Sequence, residues 1–229
     1  MSSIPRRAAL AVVATSALVV GASTVAGAST ISKAQSLLNS ALAHTRAASS
    51  VTVSGVGSSS GESVKINVTA GKNAAYGVLT YGGQATTLRR VGTKVYAKGT
   101  KGFLEQQGAS ASQAAVEANK WFQIPSSETT NYQSLQQFLV VKQLLNGLIP
   151  SSVKGTITGV KNSTLNGQAV EIISGTFSGQ KGSLYVNTHG TPYLLRVFQN
   201  TTSAGGGTIT LSNFNKPVHT TAPKGAVVQ

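Results

Sequence analysis

The sequence predicts an α+β fold, built as a single curved antiparallel sheet with helices on one face. Three observations lead there. Apolar and polar residues alternate at period two through most of the chain. Glycine- and asparagine-marked turns recur roughly every ten residues, the rhythm of a meandering sheet. Residues 31–47 and 131–148 are the substantial segments that place apolar residues at helical spacing.

The chain begins with a segment of another kind. Residues 1–7 carry Arg6 and Arg7 without an acid, residues 8–20 are almost unbroken apolar, and Ala26-Gly27-Ala28 has the small-x-small pattern of a signal-peptidase site. The apolar run is shorter than the ~20 residues of a bilayer span. Residues 1–28 are therefore expected to be a secretory signal peptide, and residues 29–229 a single exported domain, in the envelope or outside the cell and soluble after cleavage. The arginine pair does not distinguish general from twin-arginine export.

Helix is expected over residues 31–47, where Ala34, Leu37, Leu38, Ala41 and Leu42 form a stripe. From Ser50 the period becomes two. Val51 and Val53 alternate with Thr52 and Ser54, and Val64, Ile66 and Val68 alternate with Lys65, Asn67 and Thr69. Residues 55–61, rich in Gly and Ser, read as a flexible hairpin connection. Strands follow at 75–81, 84–91 and 93–98. Residues 102–120 break the alternation and read as a loop with a short helix at 112–119; Trp121-Phe122 returns to the sheet and Pro125 ends that strand.

Residues 131–148 read as one helix, striped by Leu135, Phe138, Leu139, Val141, Leu145 and Leu148 and stopped by Pro150. A second group of strands is expected at 153–160, 169–177, 182–187, 193–201 and 208–213, separated by turns at Asn166-Gly167, Ser178-Gly179, His189-Gly190 and 204–207. So many half-apolar strands offer more apolar face than these helices hide. Either the sheet curls and fills its own interior, or a cavity remains between sheet and helices.

Composition excludes much chemistry. There is no cysteine, hence no disulfide, thiolate metal site or lipid-bearing cysteine. His44, His189 and His219 lie far apart with no acid near them in sequence, and the acids are Glu62, Glu105, Glu117, Glu128 and Glu171. No triad, paired-carboxylate or metal-ligand spacing emerges, and no cofactor-binding motif; the chain is expected not to be an enzyme. Glu171 is expected to face outward and be solvated. The net charge is +14, but the lysines are spread singly, unlike a nucleic-acid interface. A diffuse positive field suits weak attraction to an anionic membrane surface. Nothing in the sequence assigns an oligomeric state.

The runs Gly182-Ser183-Leu184-Tyr185-Val186 and Gly190-Thr191-Pro192-Tyr193-Leu194-Leu195-Arg196-Val197, with residues 209–218 and Ala222-Pro223, resemble the C-terminal part of the mycobacterial LppX/LprG-type lipoproteins. The first helix leading into residues 50–55, Val95-Tyr96 and Lys120-Trp121-Phe122 fit the same pattern. The resemblance implies a half-barrel curled around helices, enclosing a hydrophobic cavity for lipid acyl chains and related in shape to the LolA/LolB lipoprotein carriers. One departure is the missing cysteine, since those lipoproteins carry a lipidated one. The expected function is non-enzymatic lipid or glycolipid binding or transport in the bacterial cell envelope; the alternative is an envelope sensor or scaffold that binds a protein. Inward strand positions, taken as apolar residues with polar neighbours, give a wall of Val64, Ile66, Val68, Val95, Val170, Ile172, Leu184, Val186, Leu195 and Val197. Leu135, Phe138, Leu139 and Leu145 face it from the helix.

Overall fold

A computed structural model describes residues 25–59, 61–149, 152–177, 179–200 and 206–228. The signal-peptide assignment lies on residues 1–24 outside the described residues, and residues 25–28 form the first turn of helix α1 (Val25–Arg46). The sheet then meanders through β1 (Val51–Ser59), β2 (Glu62–Ala70), β3 (Ala74–Tyr81), β4 (Gln84–Val91) and β5 (Lys94–Gly99). Helices α2 (Lys101–Gln106) and α3 (Ala111–Glu117) precede β6 (Phe122–Ile124). Helices α4 (Thr129–Leu139) and α5 (Val141–Leu148) cross to a second meander of β7 (Gly155–Leu165), β8 (Gln168–Phe177), β9 (Gln180–Asn187), β10 (Leu194–Asn200) and β11 (Gly207–Ser212). A short β12 (Val227–Val228) ends the described chain.

One 12-stranded sheet results, in the order β12-β6-β5-β4-β3-β2-β1-β11-β10-β9-β8-β7. The two meanders are joined by antiparallel pairing of β1 with β11, which puts Val53 opposite Leu211. The β12–β6 pair is parallel. The sheet is open at β12 and β7, and the helices cover its concave side, as the family resemblance implies. The main core lies between these layers, with Leu38 and Leu42 of α1 and Leu139 and Leu145 of α4 and α5 clustered with Val53, Val68, Val95, Ile173, Leu184 and Val186.

Four local expectations need correction. Residues 55–59 continue β1 instead of forming a loose connection. At Gly55 a Cβ would meet the carbonyl oxygen of Thr208 at 2.5 Å, so glycine here permits close strand approach. Residues 102–106, expected as loop, belong to α2, whose first turn is capped by the Thr100 hydroxyl accepting from the Phe103 amide. The single helix over 131–148 is two helices, broken at Val140 (φ −99°, ψ 114°). A bend there lets Leu139, Val141, Leu144 and Leu145 all turn into the core, which one straight helix face does not allow. The pairing of β12 on β6 was not expected, because a two-residue strand is too short for a periodic signal.

Candidate functional site

Strand alternation assigns every strand residue to a face, and the core cluster fixes which face is concave. On β2, inward Val68 and Ala70 are fully buried, whereas inward Ile66 and Val64 are half-buried. Strands β3, β10 and β11 follow the same gradient, whereas Thr86 of β4 and Gly175 and Phe177 of β8 stay buried toward that end. Ala75 of β3 is buried but Leu79 and Tyr81 are half-buried; Leu211 of β11 is buried but Ile209 is not; Leu194 of β10 is buried but Val197 is not. The register aligns these residues at one end of the sheet, with Ile66 paired to Leu79 and to Gly55, Gly55 to Ile209, and Ile209 to Val197. The apolar lining is thus sealed at the end where α1 leads into β1 and emerges half-covered toward the hairpin tips.

At this half-covered end the register produces a transverse row with few side chains. Val64 pairs with Gly57, Gly57 with Gly207, Gly207 with Gln199, Gln199 with Gly182, Gly182 with Gly175, and Gly175 with Ile157. All are inward positions. A Cβ added at Gly207 would overlap the carbonyl oxygen of Val56, one at Gly182 that of Phe198, and one at Gly175 that of Thr156. The glycines therefore let adjacent strands approach closely and coil tightly at the concave surface.

Three polar groups frame the sealed end. Arg90 is 5% exposed and inward on β4. Its Nε donates to the Leu139 carbonyl at 2.8 Å, one terminal nitrogen to the Gly92 carbonyl at 2.9 Å, and the other to the carbonyls of Gly71 at 2.6 Å and Lys72 at 3.1 Å. The guanidinium thereby ties the last carbonyl of α4 to two hairpin loops, where the helix breaks. Desolvation by burial lowers its pKa, partly opposed by Tyr132, and it stays protonated at neutral pH. Thr45, fully buried near the end of α1, accepts from the Leu194 amide at 2.9 Å beside the β10 bulge. Glu171, expected to be outward and solvated, is inward on β8 opposite Val186, and one carboxylate oxygen is buried without a hydrogen-bond partner.

The structure divides the residues expected to line the interior. Val68, Val95, Leu139, Leu145, Leu184 and Val186 belong to the buried main cluster, and Ile66, Leu135 and Val197 pack against it half-buried. Val64 and Phe138 are half-buried. Val170, Ile172 and Leu195 are on the opposite, convex face, in a smaller cluster with Leu165, Tyr185, Tyr193 and Phe214. The rule of polar neighbours fails there because β8 has apolar residues at 170, 172 and 173, on both faces, and because the β10 bulge between Leu194 and Arg196 shifts the alternation. Arg90, Glu171 and the glycine row were missed. Parity with buried Leu88 was the available signal for Arg90.

The outer cluster borders a cleft of about 310 Å³ lined by Leu165, Tyr193, Leu195, Phe214, Asn187 and Asn213, among others. Tyr193 and Phe214 stack with centroids 4.2 Å apart, and the Asn215 amide donates to the Tyr193 hydroxyl at 2.7 Å. Among the described residues no group of three or more His, Asp and Glu is placed to hold a metal ion. Nor is any helix among them long and apolar enough to cross a membrane.

No protein-family model matches the sequence, and no curated protein matches it. Solved structures do resemble it. LprF from Mycobacterium bovis superposes with a TM-score of 0.55 at 20% identity, covering 85% of this chain and 98% of that one. The lipoprotein LppX from Mycobacterium tuberculosis gives a TM-score of 0.46 at 19% identity over 82% of this chain and 98% of that one. A LolA superfamily protein from Nitrosomonas europaea gives 0.24 at 13% identity, over 79% and 92%. The likeness to LprF establishes a shared fold.

Proposed function

We propose that this chain, built on the fold it shares with LprF, is a non-enzymatic binder of lipid or glycolipid in the bacterial cell envelope, exported with residues 1–28 removed. The observation that carries this reading is the exposure gradient on the concave face. Ile66, Leu79, Val197 and Ile209 are apolar, inward and only half-covered, beside a row of glycines where the strands approach closely. Apolar surface left part-exposed in a concavity is stabilised when an acyl chain covers it, by about 0.8 kcal/mol per buried methylene. The sealed end, held by Arg90 and packed helices, gives the chain's tip a floor.

A sensor that binds a protein draws its support from the aromatic cleft on the convex side. The two readings part on one experiment. The chain is purified from a bacterial host under mild conditions and extracted with organic solvent for mass spectrometry, then mixed with labelled vesicles. Lipid above a control protein, and transfer from vesicles, are expected. Finding neither overturns lipid binding and leaves the protein-partner reading.

A further inference from the structure

The convex face carries charge of one sign. Outward positions hold Lys65, Arg89, Lys94 and Lys98 on one half of the sheet, and Lys161, Lys181 and Arg196 on the other. Among the described residues no outward strand position is an acid: the strand acids Glu62 and Glu171 are both inward, and Glu105 and Glu117 lie on α2 and α3. A diffuse excess of lysine in the sequence thus becomes a segregated surface.

Apolar groups sit among these cations on the β2–β6 half. Tyr76 is 45% and Val78 38% exposed, both outward on β3, and Tyr76 pairs with Arg89. Trp121 lies under Arg89 at 5.0 Å and under Lys98 at 5.3 Å. The C-terminal segment crosses the same side, with the Thr221 carbonyl accepting from Arg89 and the Val227 amide donating to the Trp121 carbonyl, and it adds Lys216 and Lys224 without an acid.

We propose that the β2–β6 half of the convex face docks on an anionic phospholipid surface, through Lys65, Arg89, Lys94 and Lys98 with Tyr76 and Val78 at the headgroup level. Cations near a negative membrane surface each add about fivefold to affinity at moderate salt. Any polyanion satisfies those charges, but exposed Tyr and Val between them gain only where an apolar layer lies beneath the charge, as at a bilayer interface. Long lysine and arginine stems extend their heads to phosphates while the rings pack below. The proposal does not depend on what fills the interior, because the docking residues face away from it.

The test is co-sedimentation of the full chain with vesicles of phosphatidylcholine alone and with about one-third phosphatidylglycerol. The difference between the two vesicle types is read, and each variant is compared with the unchanged full chain, so that the contribution of Arg6, Arg7 and apolar residues 8–20 is common to both. Binding that depends on phosphatidylglycerol and falls with salt is expected. Joint Lys65→Gln, Lys94→Gln and Lys98→Gln should weaken it on the order of a hundredfold, at fivefold per cation. Lys33→Gln, Lys101→Gln and Lys120→Gln remove the same charge from α1, α2 and the residue before Trp121, and should weaken it far less. Tyr76→Ser with Val78→Ser should weaken vesicle binding and leave binding of soluble polyphosphate unchanged. Equal binding to both vesicle types, equal loss in the two lysine triples, or polyphosphate binding with no preference for phosphatidylglycerol vesicles overturns the proposal.

Discussion

Replacing Arg90 with Met should lower stability by about 3 kcal/mol, because two buried acceptors lose their donor at once. The side chain makes four hydrogen bonds, and those to the carbonyls of Leu139 and Gly71 are buried. A buried carbonyl left without a partner loses about 1–3 kcal/mol, so the pair accounts for about 2–6 kcal/mol. Part of this is offset, since a buried guanidinium carries a desolvation penalty, the same penalty that lowers its pKa. Methionine fills most of the volume, which keeps a cavity term small. Urea unfolding at neutral pH measures the difference, with thermal unfolding as a second probe at about 2–4 °C per kcal/mol for a domain of this size. Arg90→Lys, which keeps the charge but reaches fewer carbonyls, should fall between. A loss below about 0.5 kcal/mol in Arg90→Met, the level of an ordinary surface change, would refute the anchoring role assigned to Arg90.

Two further substitutions separate the sealed end of the interior from its mouth. Val186→Phe adds volume where Val186 is fully buried and should cost about 1–3 kcal/mol by overpacking, whereas Ile66→Trp, at the half-covered end, should leave urea stability nearly unchanged and reduce uptake of a fluorescent acyl probe. Equal stability losses would mean that Ile66 is as tightly packed as Val186. Gly207→Val should destabilise the fold by more than about 1 kcal/mol, since its Cβ would overlap the Val56 carbonyl oxygen; a neutral result in urea unfolding would show that tight coiling at the β1–β11 seam is not needed. Thr45→Val should cost about 1–3 kcal/mol by orphaning the buried Leu194 amide, and a smaller effect would mean that this amide finds another acceptor.

Most of the sheet was legible because period two survives wherever one face is buried and the other solvated. The alternation of Val64, Ile66 and Val68 with Lys65, Asn67 and Thr69 gave both the strand and its inward face, and residues 84–91 coincide with β4. The signal failed where both faces are apolar. Val170 and Ile172 look inward by composition, yet the sheet buries them in a convex cluster around Tyr193 and Phe214 that sequence spacing does not reveal. It failed again at a local break with a tertiary partner, since at the bend at Val140 the Leu139 carbonyl accepts from Arg90 of β4, a contact that helical spacing does not reveal. The glycine row became visible only through register. Gly57, Gly207 and the hairpin pair Gly175 and Gly182 are far from one another along the chain and are brought into line by strand pairing.

Photo-crosslinking with a fatty acid carrying a diazirine in its acyl tail tests the interior assignment most directly, with the labelled peptides mapped by mass spectrometry. Label is expected on the inward residues of the half-covered end, Ile66, Leu79, Val197 and Ile209, and competition by unlabelled lipid should remove it. Label confined to Tyr193, Leu195 and Phe214 in the convex cleft, or label that unlabelled lipid does not displace, would contradict binding in the interior.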